Sequence, residues 1–222
     1  MGKNKTEFIK KIKSFNISDK IISTFESIDR TLFFDPFFKK QIWGMEPIPV
    51  GYGEKSDNVE ILAKMLNHLN PEKHWNVLEI GTGSGYSTAL IASMTARVVS
   101  IDYNENLAKE AKKRLLDNGF FNAKFFAGDC SDLDDTTGSF DGIIIYPGCL
   151  HSPYAVLNLL KPNSIAVFPM GPVHMQQITV YKNIQTDDPF KRYKFNETCV
   201  VPSIKGEYGP SNPGMDIIVE TE

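Results

Sequence analysis

The chain has 222 residues, of which 41% are hydrophobic and 23% charged, with a formal net charge of −3. That composition belongs to a globular protein able to bury most of its apolar surface without disulfides or metal, and no metal site is expected. The weak negative charge argues against a nucleic-acid partner held by the overall field, and the absence of a run of about 18 apolar residues argues against a membrane span.

The first twenty residues carry six lysines against Glu7 and Asp19. Phe8, Ile9, Ile12 and Phe15 recur among them at helical spacing, which predicts a basic-faced amphipathic helix packed on the body. No apolar core or small-residue cleavage site marks a signal peptide. Up to residue 70 the pattern is helical, interrupted by "DPFF" and by the Pro47–Pro49 stretch "EPIPVGYG", which suits a cap laid over a larger core. Near the end of this region Val59, Ile61, Leu62, Met65, Leu66 and Leu69 form an apolar helix face. Asp57, three residues before Glu60, has capping-box spacing at the start of that helix.

From Trp75 the pattern alternates. "WNVLEI" reads as a strand, "YSTALIASM" as a helix, "RVVSID" as a strand, and "ENLAKEAKKRLLDNG" as a helix ending at Gly119. "AKFFA" and the apolar run "FDGIIIY" are the next strands, the latter suited to burial on both faces. "YAVLNLL" is predicted helical, and "SIAVFP", after the "KPN" turn, is a fifth strand. This alternation means a parallel sheet covered by helices with right-handed crossovers. "QQITVYKN" and "KFNETCVV" follow with no helix between them, predicting an antiparallel pair that ends the sheet. The three cysteines, Cys130, Cys149 and Cys199, have neither metal-ligand spacing nor the look of a disulfide framework. A reducing cytoplasm is the expected compartment.

The loop "VLEIGTGSGYS" places Glu79, Gly81, Thr82, Gly83 and Gly85 between a strand and a helix. Glycines there allow a sharp turn and the close approach of a ligand to free helix amides. A dinucleotide fingerprint would need Gly or Ala where Tyr86 stands, and no Gly-Lys-Ser/Thr ending makes a phosphate-binding loop. Asp102, at the end of "VVSID" and followed by Tyr103, is placed to accept hydrogen bonds from both ribose hydroxyls of a nucleoside. Gly128 and Asp129 end the third strand where a base edge would lie. Open α/β sheets bind ligands at such strand ends.

The spacing E-x-G-x-G-x-G resembles motif I of the S-adenosylmethionine-dependent methyltransferases. "VLEIGTGSGYSTALIA" is similar to motif I of protein-L-isoaspartate O-methyltransferases, and the resemblance extends through "ISTFESIDRTLFFDP", "EPIPVGYG", "LLKPNSIAVFPMG", "QQITVYK" and "VVPSIKG", from about residue 21 to 206. It implies a Rossmann-like fold with a mostly parallel seven-stranded sheet and helices on both faces. The expected division is a cap over 1–70, a cofactor-binding core over 71–185 and a strand-rich tail over 186–222 that completes the sheet. The implied cofactor is S-adenosyl-L-methionine, the implied substrate an isoaspartyl-containing protein or peptide, and the implied assembly a monomer or weak dimer. The reaction would methylate an α-carboxylate that is already ionised at neutral pH, so no general base is needed, and the lone histidines His151 and His174 are read as surface or loop residues.

One stretch departs from the resemblance. The related enzymes carry Thr-Ile-Ser, one residue and Pro after the glycine matching Gly53, and the serine orients the acceptor. Counting from Gly53 puts Asp57 at that serine, and a one-residue slip puts Ser56 there. The Pro is missing in either register. An ionised Asp57 facing the acceptor would repel a carboxylate by roughly 1 to 4 kcal/mol and favour a neutral or cationic nucleophile. A methyltransferase with a different acceptor, and a cofactor-binding protein with little catalysis, therefore stand as alternatives.

Overall fold

A computed structural model describes residues 4–184, 190–206 and 208–209. Two helices open the chain, α1 (Lys5–Lys13) and α2 (Asp19–Ser27). The side chain of Asn4 accepts from the Glu7 amide, and Lys10, Lys11 and Lys13 sit in the last turn of α1, where cations complement the helix dipole. Phe8, Ile9 and Ile12 are buried, as their spacing predicts. A short two-stranded ribbon follows, β1 (Pro49–Gly51) and β2 (Glu54–Lys55), where the helical pattern is interrupted. Helix α3 (Val59–Leu69) comes next and ends at Asn70, which adopts the left-handed conformation at φ 45°.

The remaining strands are β3 (Asn76–Ile80), β4 (Arg97–Asp102), β5 (Ala123–Ala127), β6 (Phe140–Ile145), β7 (Leu160–Met170), β8 (Gln176–Asn183) and β9 (Phe190–Cys199). Helices α4 (Tyr86–Met94), α5 (Glu105–Asp117) and α6 (Tyr154–Leu157) lie between them. The strands form one seven-stranded sheet in the order β5-β4-β3-β6-β7-β8-β9. From β5 to β7 neighbours run parallel, and β8 is antiparallel to both β7 and β9.

Successive residues in the central strands point to opposite faces. Val77, Val98, Ile144 and Val167 join one hydrophobic cluster with α1, α2, α3 and α4. Leu78, Val99, Ile143 and Phe168 join another with α6 and Ile204. The first helices thus share a core with the sheet itself. No helix among the described residues is long and apolar enough to cross a membrane.

Two expectations need correction. The helix expected over "YAVLNLL" is a single turn, and β7 starts at Leu160, before the expected "SIAVFP". Pro162 has no amide to donate to a helix, and Asn163 takes φ 62°, so β7 carries an irregularity near its start, where its register against β6 shifts between Leu160 and Ile165. The capping residue of α3 is Asn58, not Asp57: the Asn58 side chain accepts from the Glu60 amide at 2.9 Å. The tail segment 210–222 lies outside the described residues.

Candidate functional site

Parallel strands converge on a pocket at their C-terminal ends, where chain leaving β3, β4, β5 and β6 turns toward the next element. The pocket opens to solvent at one side and is lined by residues of the strand-end loops, the chain entering α3 and the segment 202–205. Its floor is the loop joining β3 to α4. Gly81, Gly83 and Gly85 all take positive φ, at 94°, 52° and 86°. Two of these positions also lack room: a Cβ on Gly81 would stand 3.0 Å from Pro147 Cδ, and one on Gly85 would stand 2.7 Å from Leu115 Cδ1. Gly83 faces open space instead, as a backbone approached by a ligand must.

Asp102 closes one side, 9% exposed. Its Oδ2 accepts from the Gly83 amide at 2.9 Å and its Oδ1 from the Asn104 amide at 2.8 Å. A carboxylate has about four acceptor sites, so each oxygen keeps one for a diol. Burial raises this carboxyl above its ordinary range, against the two amide bonds that lower it. Tyr103 is 56% exposed and lines the same wall, with Gly128 beyond it. Thr82 lines the floor, but its hydroxyl is directed away: it lies 2.6 Å from Ser100 Oγ, whose own proton goes to Glu79 Oε2 at 2.6 Å.

Two expected ligand residues lie outside the wall. Glu79 is completely buried beneath the loop, accepting from Thr88 Oγ1 at 2.5 Å and from Ser100. Its other oxygen, Oε1, has no hydrogen-bond partner, and burial pushes the carboxyl up to about 7. The carboxylate therefore braces β3, β4 and α4 under the pocket and does not reach into it. Asp129 accepts from the Ser131 amide at 2.9 Å, and the backbone of Gly206 closes over its carboxylate, leaving no space there for a Cβ. Its neighbours Gly128 and Cys130 face the pocket in its stead.

At the far end the wall is built by the chain entering α3. Ser56 and Asp57 both line it, with different freedom. The Ser56 hydroxyl accepts from the Ile48 amide at 3.0 Å and contacts the Asp57 carbonyl at 3.3 Å, while its own amide donates to the Ile48 carbonyl at 2.8 Å. Ser56 thus ties the ribbon to the segment before it. Asp57, relieved of capping by Asn58, is half-buried and opens on the pocket. Burial pushes its carboxyl up to about 7, with its own backbone amide opposing.

Several wall residues could not be selected from sequence alone. Arg30 is 1% exposed, donating to the Ile42 and Gly44 carbonyls at 2.6 and 2.8 Å while its guanidinium lies 5.0–5.4 Å from the rings of Phe8, Phe34 and Tyr86. Burial lowers its pKa to about 10. Tyr146 and Pro147 come from the turn after β6, and Pro202, Ser203, Ile204 and Lys205 form a roof from the end of the described chain. That roof is hung on the turn after β6 by the Gly148 amide to the Pro202 carbonyl, 2.8 Å, and the Ile204 amide to the Gly148 carbonyl, 2.9 Å. The stretch "VVPSIKG" had a mark in the sequence, but nothing there assigned it to the pocket. His151 and His174 are not among the lining residues.

Comparison with known proteins agrees with this geometry. The family model described as Protein-L-isoaspartate(D-aspartate) O-methyltransferase matches residues 3–208. The chain is 31% identical over 191 residues to the Protein-L-isoaspartate O-methyltransferase 2 of Rhodopseudomonas palustris, covering 86% of this chain and 88% of that one. It is 32% identical over 192 residues to the enzyme of that name from Dictyoglomus thermophilum, with 86% of each chain covered. Among solved structures, the beta-aspartate methyltransferase of Plasmodium falciparum, crystallised with S-adenosyl-L-homocysteine, superposes with a TM-score of 0.78. That likeness covers 92% of this chain and 99% of the other at 17% identity, and it speaks to the fold.

Proposed function

The chain belongs to the protein-L-isoaspartate(D-aspartate) O-methyltransferase family, and from that premise we propose how its own residues carry out S-adenosylmethionine-dependent methylation of L-isoaspartyl carboxylates, a protein-repair reaction. The observation that carries the reading is the pocket itself. A glycine turn at positive φ, a half-spent carboxylate at Asp102 and an open approach to Gly83 stand together at the ends of parallel strands. When bound, S-adenosyl-L-methionine supplies an electrophilic methyl group on a sulfonium.

Gly81, Gly83 and Gly85 offer main chain at which that cofactor can lie close, and Asp102 accepts from its ribose hydroxyls. Tyr103 and Gly128 flank the base, and Thr82 shapes the floor. The acceptor carboxylate enters beside Ser56 and Asp57. Its pKa near 4 leaves it ionised at neutral pH, so the chain needs no residue to remove a proton. What the protein supplies is position: a nucleophilic oxygen held in line with the methyl group, worth several kcal/mol when the approach distance is right. The Pro202–Lys205 roof covers part of the pocket.

The weak net negative charge supports a polypeptide substrate in preference to nucleic acid. Three buried free cysteines support a reducing compartment, the cytoplasm. We take the working form as a monomer or weak dimer. The test uses S-adenosylmethionine labelled in its methyl group, with an isoaspartyl peptide and its aspartyl counterpart. Base-labile ester on the isoaspartyl peptide alone is expected. Tight cofactor binding with no ester on either peptide would overturn the acceptor assignment.

A further inference from the structure

We propose that Asp57 holds the acceptor carboxylate as a neutral acid, donating its own proton in a hydrogen bond to the incoming carboxylate. The proposal rests on the isoaspartyl reading above and deepens it. It begins from the freedom of the side chain. Asn58 caps α3, Ser56 is bonded to Ile48, and the Asp57 carboxyl accepts from its own amide and faces the pocket, with Glu79 and Tyr146 acting on it electrostatically. An ionised Asp57 would set two negative charges against each other in a partly dry site. A protonated one converts that repulsion into a charge-assisted O–H···O⁻ bond, among the strongest available to a side chain.

The surrounding groups leave no other means of neutralising it. No ion pair to Asp57 occurs among the described residues. Arg30 donates through Nη1 to the Ile42 and Gly44 carbonyls and lies over three rings, and its Nε has no partner, so it makes no ion pair with Asp57. Lys205 pairs with Glu54, and Lys55 is exposed. From β3, Glu79 acts on the same space with an unpartnered oxygen, and from the turn after β6 Tyr146 presents a buried hydroxyl without a partner. Asp102 is engaged by the Gly83 and Asn104 amides. Tyr86 and Cys130, on the remaining sides, are both raised by burial, so they stay neutral through the physiological range. The balance around Asp57 is therefore negative or neutral, which favours retention of its proton, in line with burial raising the carboxyl to about 7.

The expected consequence is a pH window. Acceptor binding requires an ionised substrate carboxylate and a neutral Asp57, so kcat/KM for an isoaspartyl peptide, measured at saturating cofactor, falls up to tenfold per pH unit above about 7. Asp57→Ser, whose hydroxyl does not titrate there, and Asp57→Asn, whose amide still donates, both lose that alkaline limb and exceed the parent at pH 9. A second readout needs no turnover. With S-adenosyl-L-homocysteine bound, titration of the peptide by calorimetry at pH 8, in buffers of differing ionisation enthalpy, shows net proton uptake in the parent protein and none in Asp57→Ser.

An alkaline limb that persists in both variants, or peptide binding without proton uptake in the parent, would overturn the proposal while leaving the isoaspartyl activity standing. Methyl transfer absent at every pH in all three proteins would overturn the acceptor reading and this role together.

Discussion

Glu79 and Asp57 are separated by 22 positions in sequence, and their carboxyls act on each other electrostatically. Each carboxyl titrates higher in the fold than in the unfolded chain, since burial penalises the charged form. The sign follows from linkage: the contribution is fully present below the unfolded value of 4.5 for Glu79 and is lost as pH rises through about 7. The melting temperature is therefore expected to fall between pH 5 and 8, corresponding to a loss on the order of 1–3 kcal/mol. Glu79→Gln keeps an acceptor for Thr88 and Ser100 and flattens part of that fall. An unchanged slope in thermal melts of the variant would place the titration elsewhere. Sequence could single out Glu79 by its spacing to the glycines but not its direction, because a strand residue's face depends on the register of its neighbours.

The glycine loop was legible as an element, since three glycines at alternate positions between a strand and a helix leave few other conformations. What each glycine does depended on what packs nearby. Gly85 starts α4 at φ 86° and sits against Leu115 and Ala111 of α5, the next helix along the chain. Gly85→Ala combines a left-handed backbone with a contact that backbone or Leu115 must yield to. A loss of about 1–3 kcal/mol in urea denaturation is expected, and a loss below about 0.5 kcal/mol would show that α5 gives way freely. The start of α3 shows the converse case. Asp57 and Asn58 are both good caps, and adjacent good caps cannot be ranked by propensity. The tie is broken by the contact of Ser56 with Ile48, which turns Asp57 to the pocket.

At the scale of the molecule, the pocket is roofed by two segments distant in sequence. The β1–β2 ribbon reaches α5 through Tyr52 Oη to Glu110 Oε1 at 2.7 Å, and Glu54 on the same ribbon pairs with Lys205 of the roof. Both contacts are at the surface, where such links add little stability but bridge parts that must separate for a large ligand to pass. The double variant Tyr52→Phe, Lys205→Ala is expected to release cofactor several-fold faster in stopped-flow experiments with little change in melting temperature. An unchanged release rate would mean that exchange takes another route. The sequence by itself determined the order of strands and helices, the parallel core with its antiparallel end, and the glycine-loop and Asp102 side of the pocket. Those rest on local periodicity and on glycines and acids close to one another along the chain. Only the tertiary structure decided that Glu79 braces the floor from below, that Asp129 lies under Gly206, that Arg30 and the Pro202–Lys205 roof complete the wall, and that Asp57 faces the pocket. Each of those outcomes turns on contacts between distant segments, and burial, which sets the charge of a carboxyl, exists only once those segments have met.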